Sequence, residues 1–597
     1  MSVAEAPIPK ATAGERLTHW VRSLTPFKIV SILVAIVFAF LALYPLSRVV
    51  LRLVVVDGQL DFSAFSDVFA QPDLGRVLLN TLIVVGGSAS LALVIGSVIA
   101  WLNERTDARL GFATDLLPLV PFLLPPVAGA IGWVLLLSER SGLLNALIRQ
   151  ILTAVGLREA TPVGTIAEGP FNIFSWWGMI FVFALYQIPY VFLMVSAGLR
   201  NMDPALEEQS RMSGAGLLRT LRKVTLPGLA PSIGAAVLLM VWFGCALFSV
   251  PAILGAGANI ELLTPRIVRE LTFTFPPNTG VAVGLSMFVV LSVGTAWFLQ
   301  RRILRRGRHV TVSGKGHRIS RIRLGAWRWP ARVFVLGYVF VAAVMPAIAL
   351  ILVTLNGFWT PNINWGALDF DAFERALVQD VKTRESLINS VLLGVVGASI
   401  GLFAAAIVAL YVQRASGRVA AILDGAIKLP AAISTIVVAV GVVLAFSGPP
   451  FNLGGTLAIL LIAYVALYMP QGAVAADAAA GQVGKDLPEA SYVSGAGSGR
   501  TFRKVYVPIM LPGLIAGWAL LFVRMTGDLS ASALLSGTSN PVVGARILQV
   551  YSAGSYPLLA ALALCLTIVT ATVLLVVMGY TRRRTRVGVG AGAERGF

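Results

Sequence analysis

Long apolar segments alternate with short polar ones from residue 29 almost to the C-terminus. Each apolar segment holds about 20 residues, the length that a helix needs to cross a hydrocarbon core roughly 30 Å thick. None of the segments alternates with a period of two, so we expect helices rather than barrel strands to satisfy the backbone polar groups in lipid. The pattern predicts twelve membrane-spanning helices, near residues 29–50, 78–102, 113–137, 176–199, 229–255, 277–300, 333–354, 387–411, 421–446, 456–478, 510–536 and 556–580. The segments that begin at 113 and 421 contain prolines, which can break a helix.

The second half of the chain repeats the first. LLNTLIVVGGSASLALVIGSVIAWL aligns with LINSVLLGVVGASIGLFAAAIVALY, which places Asn80 opposite Asn389. Because each half holds an even number of spans, both halves have the same orientation in the membrane and form parallel repeats. The sequence therefore predicts an all-α polytopic membrane protein with about twelve transmembrane helices in two parallel six-helix repeats. Residues 138–175 form a longer external loop without a counterpart, where an asymmetric binding protein would dock.

Composition and charge fix the environment and the orientation of these spans. Hydrophobic residues make up 57% of the chain and charged residues 13%, against about 25% charged residues in an average soluble domain. The net charge of +19 would suggest nucleic acid in a soluble protein, but the basic residues cluster between spans, as cytoplasmic anchoring requires. The expected partner is therefore the lipid bilayer and not nucleic acid, with both termini in the cytoplasm. The predicted organisation is a cytoplasmic N-terminal segment at 1–28, a first six-helix domain at 29–300, a basic cytoplasmic linker at 301–332, a second six-helix domain at 333–580 and a cytoplasmic tail at 581–597.

Two cytoplasmic loops, residues 203–227 (loop 1) and 484–508 (loop 2), share the largest internal pattern. The first pattern reads PALEEQSRMSGAGLLRTLRKVTLPGLAP and the second reads LPEASYVSGAGSGRTFRKVYVPIMLPG. A constant offset aligns three pairs: Glu208 with Glu489, Gly214 with Gly495, and Pro227 with Pro508. Helix-forming residues, a glycine that permits a tight turn and a second amphipathic helix ended by the proline predict a helix-turn-helix in each loop. Such a projection can seat in a groove of a soluble partner and transmit the partner's motion.

Both loops resemble the EAA loop of binding-protein-dependent ABC importer permeases, in which a glycine follows the glutamate after six residues and a later I-x-LP ends the motif. Loop 1 departs from it by reading EQS, and loop 2 by reading EAS and by VP in place of LP. The resemblance extends over nearly the whole chain, because both six-helix halves fit the family layout. The alternative interpretation is that both loops are only short basic segments that set the topology.

This resemblance implies a permease subunit in the bacterial inner membrane, which takes a solute from an external solute-binding protein. It also implies two ATP-binding-cassette ATPase subunits as partners, one docked on each loop. Glu208 and Glu489 would make polar contacts with the ATPases, while Gly214 and Gly495 would allow the turns. Closure of the ATPases on ATP would then open a path between the halves.

Enzyme chemistry finds no support in the sequence. No phosphate loop of the form GxxxxGKS or GxxxxGKT occurs, and VSGKGH in the linker lacks both the spacing and a preceding strand. We therefore expect ATP and magnesium on the partner ATPase, and no cofactor or metal on this chain. No HExxH motif or nucleophile elbow can be found either.

Charged residues inside a span are costly and are functional candidates by default. In FVRMTGDLSAS, Arg524 and Asp528 lie four residues apart, so on one helix they can pair inside the bundle. The aligned stretch of the first half has Phe243 and Leu247 instead. One interpretation is a gate or a polar spot that faces the substrate; the others are a structural ion pair and a position nearer the interface. Three other acidic residues are expected near the cytoplasmic helix ends, solvated by water: Asp115, Asp424 and Asp477.

The substrate follows from resemblance alone. Three features are similar to those of ferric-iron importer permeases: the fused double arrangement, the stretch GDLSASALLSGTSNPVVGARI after loop 2, and the stretch FSVPAILGAGANIELLTPRI after loop 1. Those permeases commonly read ELSAS where the stretch after loop 2 reads DLSAS. The resemblance implies ferric iron, with aminoethylphosphonate, thiamine or polyamine as alternatives taken from related fused permeases. Two rivals are an ion-coupled secondary transporter, which also fits parallel six-helix halves, and a membrane scaffold or sensor subunit without transport activity.

Overall fold

Helices make up most of the described part of the chain, because an apolar segment in lipid must satisfy its backbone polar groups internally. The computed structural model describes residues 26–56, 59–61, 63–110, 114, 116–156, 168–306, 321–414, 418–428, 430, 434–484 and 486–593. Within these residues the helices are accompanied by one antiparallel pair of short strands, β1 (Val55–Val56) and β2 (Gln59–Leu60), and by one isolated bridge. The predicted all-α class is confirmed.

Apart from one extra helix in the first half, Leu143–Ala154, the helices follow the same order in both halves. The helices of the first half are α1 (Pro26–Val54), α2 (Ser63–Phe69), α3 (Leu74–Arg105), a 3-10 helix (Leu117–Leu123), α4 (Pro126–Leu137), α5 (Leu143–Ala154), α6 (Trp176–Asn201), α7 (Pro204–Met212), α8 (Leu217–Thr220), a π-helical turn (Leu221–Thr225), α9 (Leu226–Ala246), α10 (Ser249–Ala258), α11 (Leu263–Thr272) and α12 (Thr279–Arg306). The helices of the second half are a 3-10 turn (Gly325–Trp327), α13 (Arg328–Val339), a π-helical turn (Phe340–Val344), α14 (Met345–Asn356), α15 (Asp371–Glu374), a π-helical turn (Arg375–Gln379), α16 (Val381–Arg414), α17 (Arg418–Lys428), α18 (Thr435–Phe446), α19 (Leu457–Gly481), α20 (Asp486–Val493), α21 (Ser498–Thr501), a π-helical turn (Phe502–Tyr506), α22 (Val507–Thr526), α23 (Ser530–Leu535), α24 (Val543–Ser552) and α25 (Tyr556–Ala593).

Ten helical runs among the described residues are long and apolar enough to cross a membrane. The 3-10 helix Leu117–Leu123 and α4 pass the same test as one unit, although their axes bend by 92° at the break. The span predicted at 113–137 is therefore broken, and it brings the number to eleven. The twelfth, predicted at 421–446, is divided between α17 and α18, and residues 429 and 431–433 lie outside the described part.

The first long helix of each half packs against the opposite half. Helix α1 lies along α16, α17 and α18, while α14 lies along α4. A Cβ atom on Gly132 would lie 2.6 Å from the Cβ of Pro346, and one on Gly441 would lie 2.8 Å from the carbonyl oxygen of Pro45. Both crossings therefore need a glycine against a proline. The halves are interlocked, and the predicted domain boundaries, drawn where the sequence repeats, stay a prediction.

The described end of the linker packs on the first half. A bridge joins Thr106 to Ile322, and the N–H of Leu324 donates to the carboxylate of Asp107 at 3.0 Å. The connection between the halves is thus attached to the C-terminal end of α3. Several predicted features lie wholly or partly outside the described residues: the N-terminal segment (1–25), the external loop (157–167), the linker (307–320), the tail (594–597) and Asp115.

Candidate functional site

Loop 1 folds as a helix, a tight turn and a second helix. The side chain of Asp203 caps α7 by accepting a hydrogen bond from the N–H of Ala205 at 2.9 Å. Gly214 follows with a φ angle of 81°, in the region of backbone space that favours glycine. The hydroxyl groups of Ser210 and Thr220 hydrogen-bond across the turn at 3.0 Å. This bond fixes the two helices relative to each other.

Loop 2 repeats this geometry in the second half. Gly495 has a φ angle of 79°, and the hydroxyl groups of Ser491 and Thr501 are 2.9 Å apart. The N–H of Ala496 donates to the carbonyl of Ser491 at 3.1 Å, and loop 1 has the equivalent bond at 3.1 Å. The serine and threonine pairs were not among our predicted site residues, although the alignment of the loops places them opposite each other.

The two predicted glutamates have carboxylates without a partner in the described part of the chain. Glu208 is half-buried and Glu489 is exposed. No hydrogen bond or ion pair to another described residue occupies either side chain, whereas the hydroxyl pairs behind them are satisfied internally. Both carboxylates are therefore available to a protein that docks on the loops.

The prediction that the loop prolines end the second helix is wrong. Helix α8 continues through the π-helical turn Leu221–Thr225 into α9, and Pro227 lies in the first turn of α9. Pro508 takes the same place in α22 after the turn Phe502–Tyr506. A π-helical turn changes the hydrogen-bond register, so the missing N–H of the proline breaks no regular helical bond. Each loop therefore runs without interruption into a membrane span.

A buried ion pair between Glu207 and Arg105 anchors loop 1 to the membrane helices. The Glu207 carboxylate lies 2.9 Å from Nε of Arg105 and accepts a hydrogen bond from the Thr225 hydroxyl at 2.7 Å. Arg105, at the end of α3, is 1% exposed and Glu207 is 5% exposed. Arg105 also donates to the carbonyl of Leu199 in α6 at 2.8 Å. Sequence reasoning chose Glu208, because that glutamate is the one repeated in both halves.

Loop 2 lacks this anchor, since Pro488 occupies the position of Glu207. The second half has a different cluster near the corresponding helix ends. The ammonium group of Lys428 lies 2.5 Å from the carboxylate of Asp424 and 2.6 Å from that of Asp477. These two aspartates were expected to be merely solvated, and the structure instead pairs both with one lysine. This cluster joins α17 to α19, whereas the ion pair of the first half joins α3 to loop 1.

At the opposite ends of the spans, the repeat is visible in its hydrogen bonds. The side-chain amide of Asn80 donates to the carbonyl of Glu261 at 3.0 Å, and that of Asn389 donates to the carbonyl of Pro541 at 2.9 Å. Each amide holds the segment that leads into α11 or α24. The alignment of Asn80 with Asn389 is thus confirmed by their equivalent contacts.

An arginine on each of these helices binds a polar residue just before α3 or α16. Arg266 donates to the side chain of Gln71 at 2.9 Å, and Arg546 donates to the carboxylate of Asp380 at 2.6 Å. Asp380 lies just outside the span that begins at Val381. Burial alone would raise the pKa of Asp380, but hydrogen bonds from Thr383 and Arg546 outweigh it and lower the pKa.

The Asp380 contact predicts a pH dependence that the Gln71 contact lacks. A lowered folded-state pKa means that the stabilisation is complete above the ordinary aspartate pKa of about 3.9 and is lost as the pH falls through the folded-state value. We expect Asp380→Gln to lower thermal stability in detergent at pH 6 by less than about 1 kcal/mol. This difference from the native chain should close below about pH 4. Gln71→Leu is the control, because residue 71 does not titrate in either chain.

Arg524 and Asp528 do not form the predicted ion pair. Helix α22 ends at Thr526, so a spacing of four residues no longer places the two side chains on one helix face. Asp528 instead accepts hydrogen bonds from the hydroxyl of Tyr468 at 2.7 Å and from the N–H of Ala531 at 2.9 Å. The carboxylate therefore caps α23 and has a structural role.

Arg524 faces the other half of the molecule. Its guanidinium carbon lies 5.8 Å from the centre of the Tyr190 ring and 5.9 Å from that of the Phe243 ring. Both distances are within the range of cation–π contacts, and both rings belong to the first half. Of the two predicted path residues, Arg524 is thus the one at the interface between the halves.

Two interlocked copies of one helical unit, each with a rigid loop continuous with a membrane span, define a polytopic membrane protein of the transport class. The chain belongs to the family of binding-protein-dependent transport system inner membrane components, whose model matches residues 92–307 and 397–587. The two matches correspond to the two halves. The protein is therefore a fused double permease of an ABC importer in the inner membrane; it is not an enzyme, and its ATPase is a separate subunit.

Similar proteins extend over most of the chain. The ferric transport system permease protein FbpB of Actinobacillus pleuropneumoniae is 24% identical over 520 residues, which are 85% of this chain and 71% of that protein. The putative ferric transport system permease protein FbpB 1 of Haemophilus influenzae is 24% identical over 471 residues, or 78% of this chain and 71% of that protein. A crystal structure of a bacterial ABC transporter involved in the import of alginate aligns with 48% of this chain and 99% of its own, at 17% identity and a TM-score of 0.39.

Proposed function

We propose that this permease imports ferric iron, which an external binding protein delivers to its outer face. The names of the two ferric permease relatives support this substrate. We further propose that loops 1 and 2 each receive one ATPase subunit, so that the assembly holds two. This arrangement requires both loops and both termini to lie in the cytoplasm, the orientation that the clusters of basic residues favour.

The observation that carries the docking proposal is the equivalence of the two loops. Their glycines have φ angles of 81° and 79°, and their hydroxyl pairs are 3.0 and 2.9 Å apart. Two identical subunits of an ATPase dimer require two equivalent sites, which the pseudo-symmetric loops offer. Glu208 and Glu489 would contact the ATPases, while ATP and magnesium would bind to the ATPases themselves.

The structure also suggests how movement of the ATPases would reach the path. Because α8 and α9 are continuous through Pro227, and α21 and α22 through Pro508, a displaced loop moves the span behind it as one body. These spans carry Phe243 and Arg524 near their far ends. Closing the ATPases would therefore change the separation of the two halves at Arg524.

The function can be tested by reconstitution in proteoliposomes. The permease and its ATPase are incorporated with ATP on the ATPase side, and binding protein loaded with radioactive ferric iron is added on the other side. We expect iron to accumulate only when ATP, ATPase and binding protein are all present. Accumulation driven by a proton or sodium gradient without the ATPase would establish a secondary transporter instead. ATP-driven uptake of labelled aminoethylphosphonate, thiamine or polyamine in place of iron would overturn the ferric assignment alone.

A further inference from the structure

Arg524 carries a positive charge inside an apolar span, and no described residue neutralises it. It is half-buried in the run Gly499–Thr526. No carboxylate of the described chain lies within ion-pair distance of its guanidinium, and the group donates no hydrogen bond to a described residue. Its contacts are the rings of Tyr190 and Phe243. A charged side chain within a membrane span is costly and is by default a candidate for the route of a transported solute.

The internal repeat places Arg524 near the pseudo-two-fold axis. The offset that aligns Gly214 with Gly495 also aligns Phe243 with Arg524. Two residues in equivalent positions of a symmetric pair meet only near the axis that relates them. Since Arg524 lies against its own counterpart, the guanidinium marks the line between the halves, along which a solute must cross.

Interrupted helices surround this position. Leu124 and Pro125 separate the 3-10 helix Leu117–Leu123 from α4, and a Cβ atom on Gly527 would lie 3.7 Å from the Cβ of Pro125. Non-helical backbone at membrane depth is tolerated where it is buried in protein or lines a cavity, and transporters place their substrate sites at such breaks. The Phe122 ring, 4.9 Å from that of Tyr190, extends the aromatic wall behind the arginine.

We propose that Arg524 binds the transported solute within the path and that this solute crosses as an oxyanion, either free or as the ligand of a ferric ion. This inference rests on the proposed function and extends it by naming a residue that binds the solute and the negative charge that the solute carries. A guanidinium offers five N–H donors in a planar fork that matches carboxylate and phosphate oxygens. A bare ferric ion would be repelled by this charge. In the described chain no three His, Cys, Asp or Glu side chains gather into a metal site.

The test uses the position that the repeat makes equivalent. Arg524→Phe removes the positive charge. The double variant Arg524→Phe with Phe243→Arg places an arginine at the equivalent position of the first half, so that the two halves exchange residues and the composition is unchanged. We expect uptake by Arg524→Phe to fall by about 10- to 100-fold, as the loss of a charge-assisted hydrogen-bond pair predicts. The double variant should recover most of the lost uptake. Arg524→Lys, which keeps the charge but not the fork, should lie between the native and phenylalanine chains.

Uptake is measured in proteoliposomes that contain the permease and its ATPase. The external binding protein is loaded with radioactive iron in the presence of labelled phosphate, labelled citrate or non-coordinating perchlorate. Entry of iron together with labelled anion indicates a ferric complex, and entry of labelled phosphate without iron indicates a free oxyanion; both support the proposal. Co-purification of the ATPase checks that each variant assembles.

Three results would overturn this inference. Arg524→Phe could transport as well as the native chain, iron could enter equally well from perchlorate, or the double variant could remain as impaired as the single one. The last result would mean that Arg524 only packs against its rings. Absence of iron uptake by the native chain is a separate outcome, which rejects the ferric assignment in the proposed function while labelled phosphate still tests the arginine.

Discussion

Replacing both loop glycines by proline, Gly214→Pro with Gly495→Pro, is expected to release the ATPase from the permease. Proline fixes φ near −65°, whereas the two glycines have φ angles of 81° and 79°. The substitution also removes the N–H groups that donate to the carbonyls of Arg211 and Tyr492. If each turn costs about 3 kcal/mol to restore, association should weaken by about 100-fold at each loop. Co-purification of tagged permease with the ATPase measures this loss.

The matched control changes the neighbouring glycines of the same turns, Gly216→Ala with Gly497→Ala. Neither has a positive φ angle, and an added Cβ meets no atom within 4 Å at either position. This double variant should retain its ATPase. Undiminished association of the proline variant would show that the loops do not receive the ATPase. Loss in both variants would point instead to a general sensitivity of the loops.

The internal repeat made the loops and the equivalent contacts of Asn80 and Asn389 predictable from the sequence. Two copies of one pattern within a chain locate equivalent positions without any knowledge of their surroundings. The alignment of Asn80 with Asn389 predicted equivalence, and the structure gives both amides the same kind of partner. Gly214 and Gly495 likewise share their left-handed backbone conformation.

Contacts between distant segments could not be predicted in this way. Arg105 and Glu207 belong to different elements, and neither hydrophobic periodicity nor the repeat brings them together, because Pro488 faces Glu207 in the alignment. The packing of α1 on the second half is equally invisible in the sequence, since an apolar span shows its length but not its neighbour. The only sign of this packing in the sequence is the glycine or proline at each helix crossing, such as Gly132.

The pairing of Arg524 with Asp528 was wrong for a local reason. The spacing of four residues predicts contact only on a continuous helix. Gly527 lies between the two, after α22 has ended, and Asp528 caps the next helix instead. The glycine was visible in the sequence and was the signal for this break. Once the pair is separated, the unneutralised arginine becomes the more informative residue.

Removing the buried charge at loop 1 is expected to have the second large effect. Glu207→Leu leaves Arg105 buried without its carboxylate partner and leaves the Thr225 hydroxyl without an acceptor. Breaking a buried ion pair in this way costs about 3–5 kcal/mol. We expect loop 1 to detach from the ends of α3 and α6, so that ATP hydrolysis continues but solute uptake falls. Thermal unfolding in detergent, ATPase activity and uptake measure these effects.

Two further variants separate the loss of the pair from the loss of a residue. Arg105→Met with Glu207→Leu removes both charges, so it should be more stable than Glu207→Leu alone, because an unpaired buried charge costs more than an apolar replacement. Arg140→Met breaks the surface contact with Glu168, in which both side chains are more than half exposed, and should cost about 1 kcal/mol or less. If Glu207→Leu were as mild as Arg140→Met, loop 1 would be held by its backbone alone. The asymmetry with loop 2, which has Pro488 at this position, would then have no mechanical consequence.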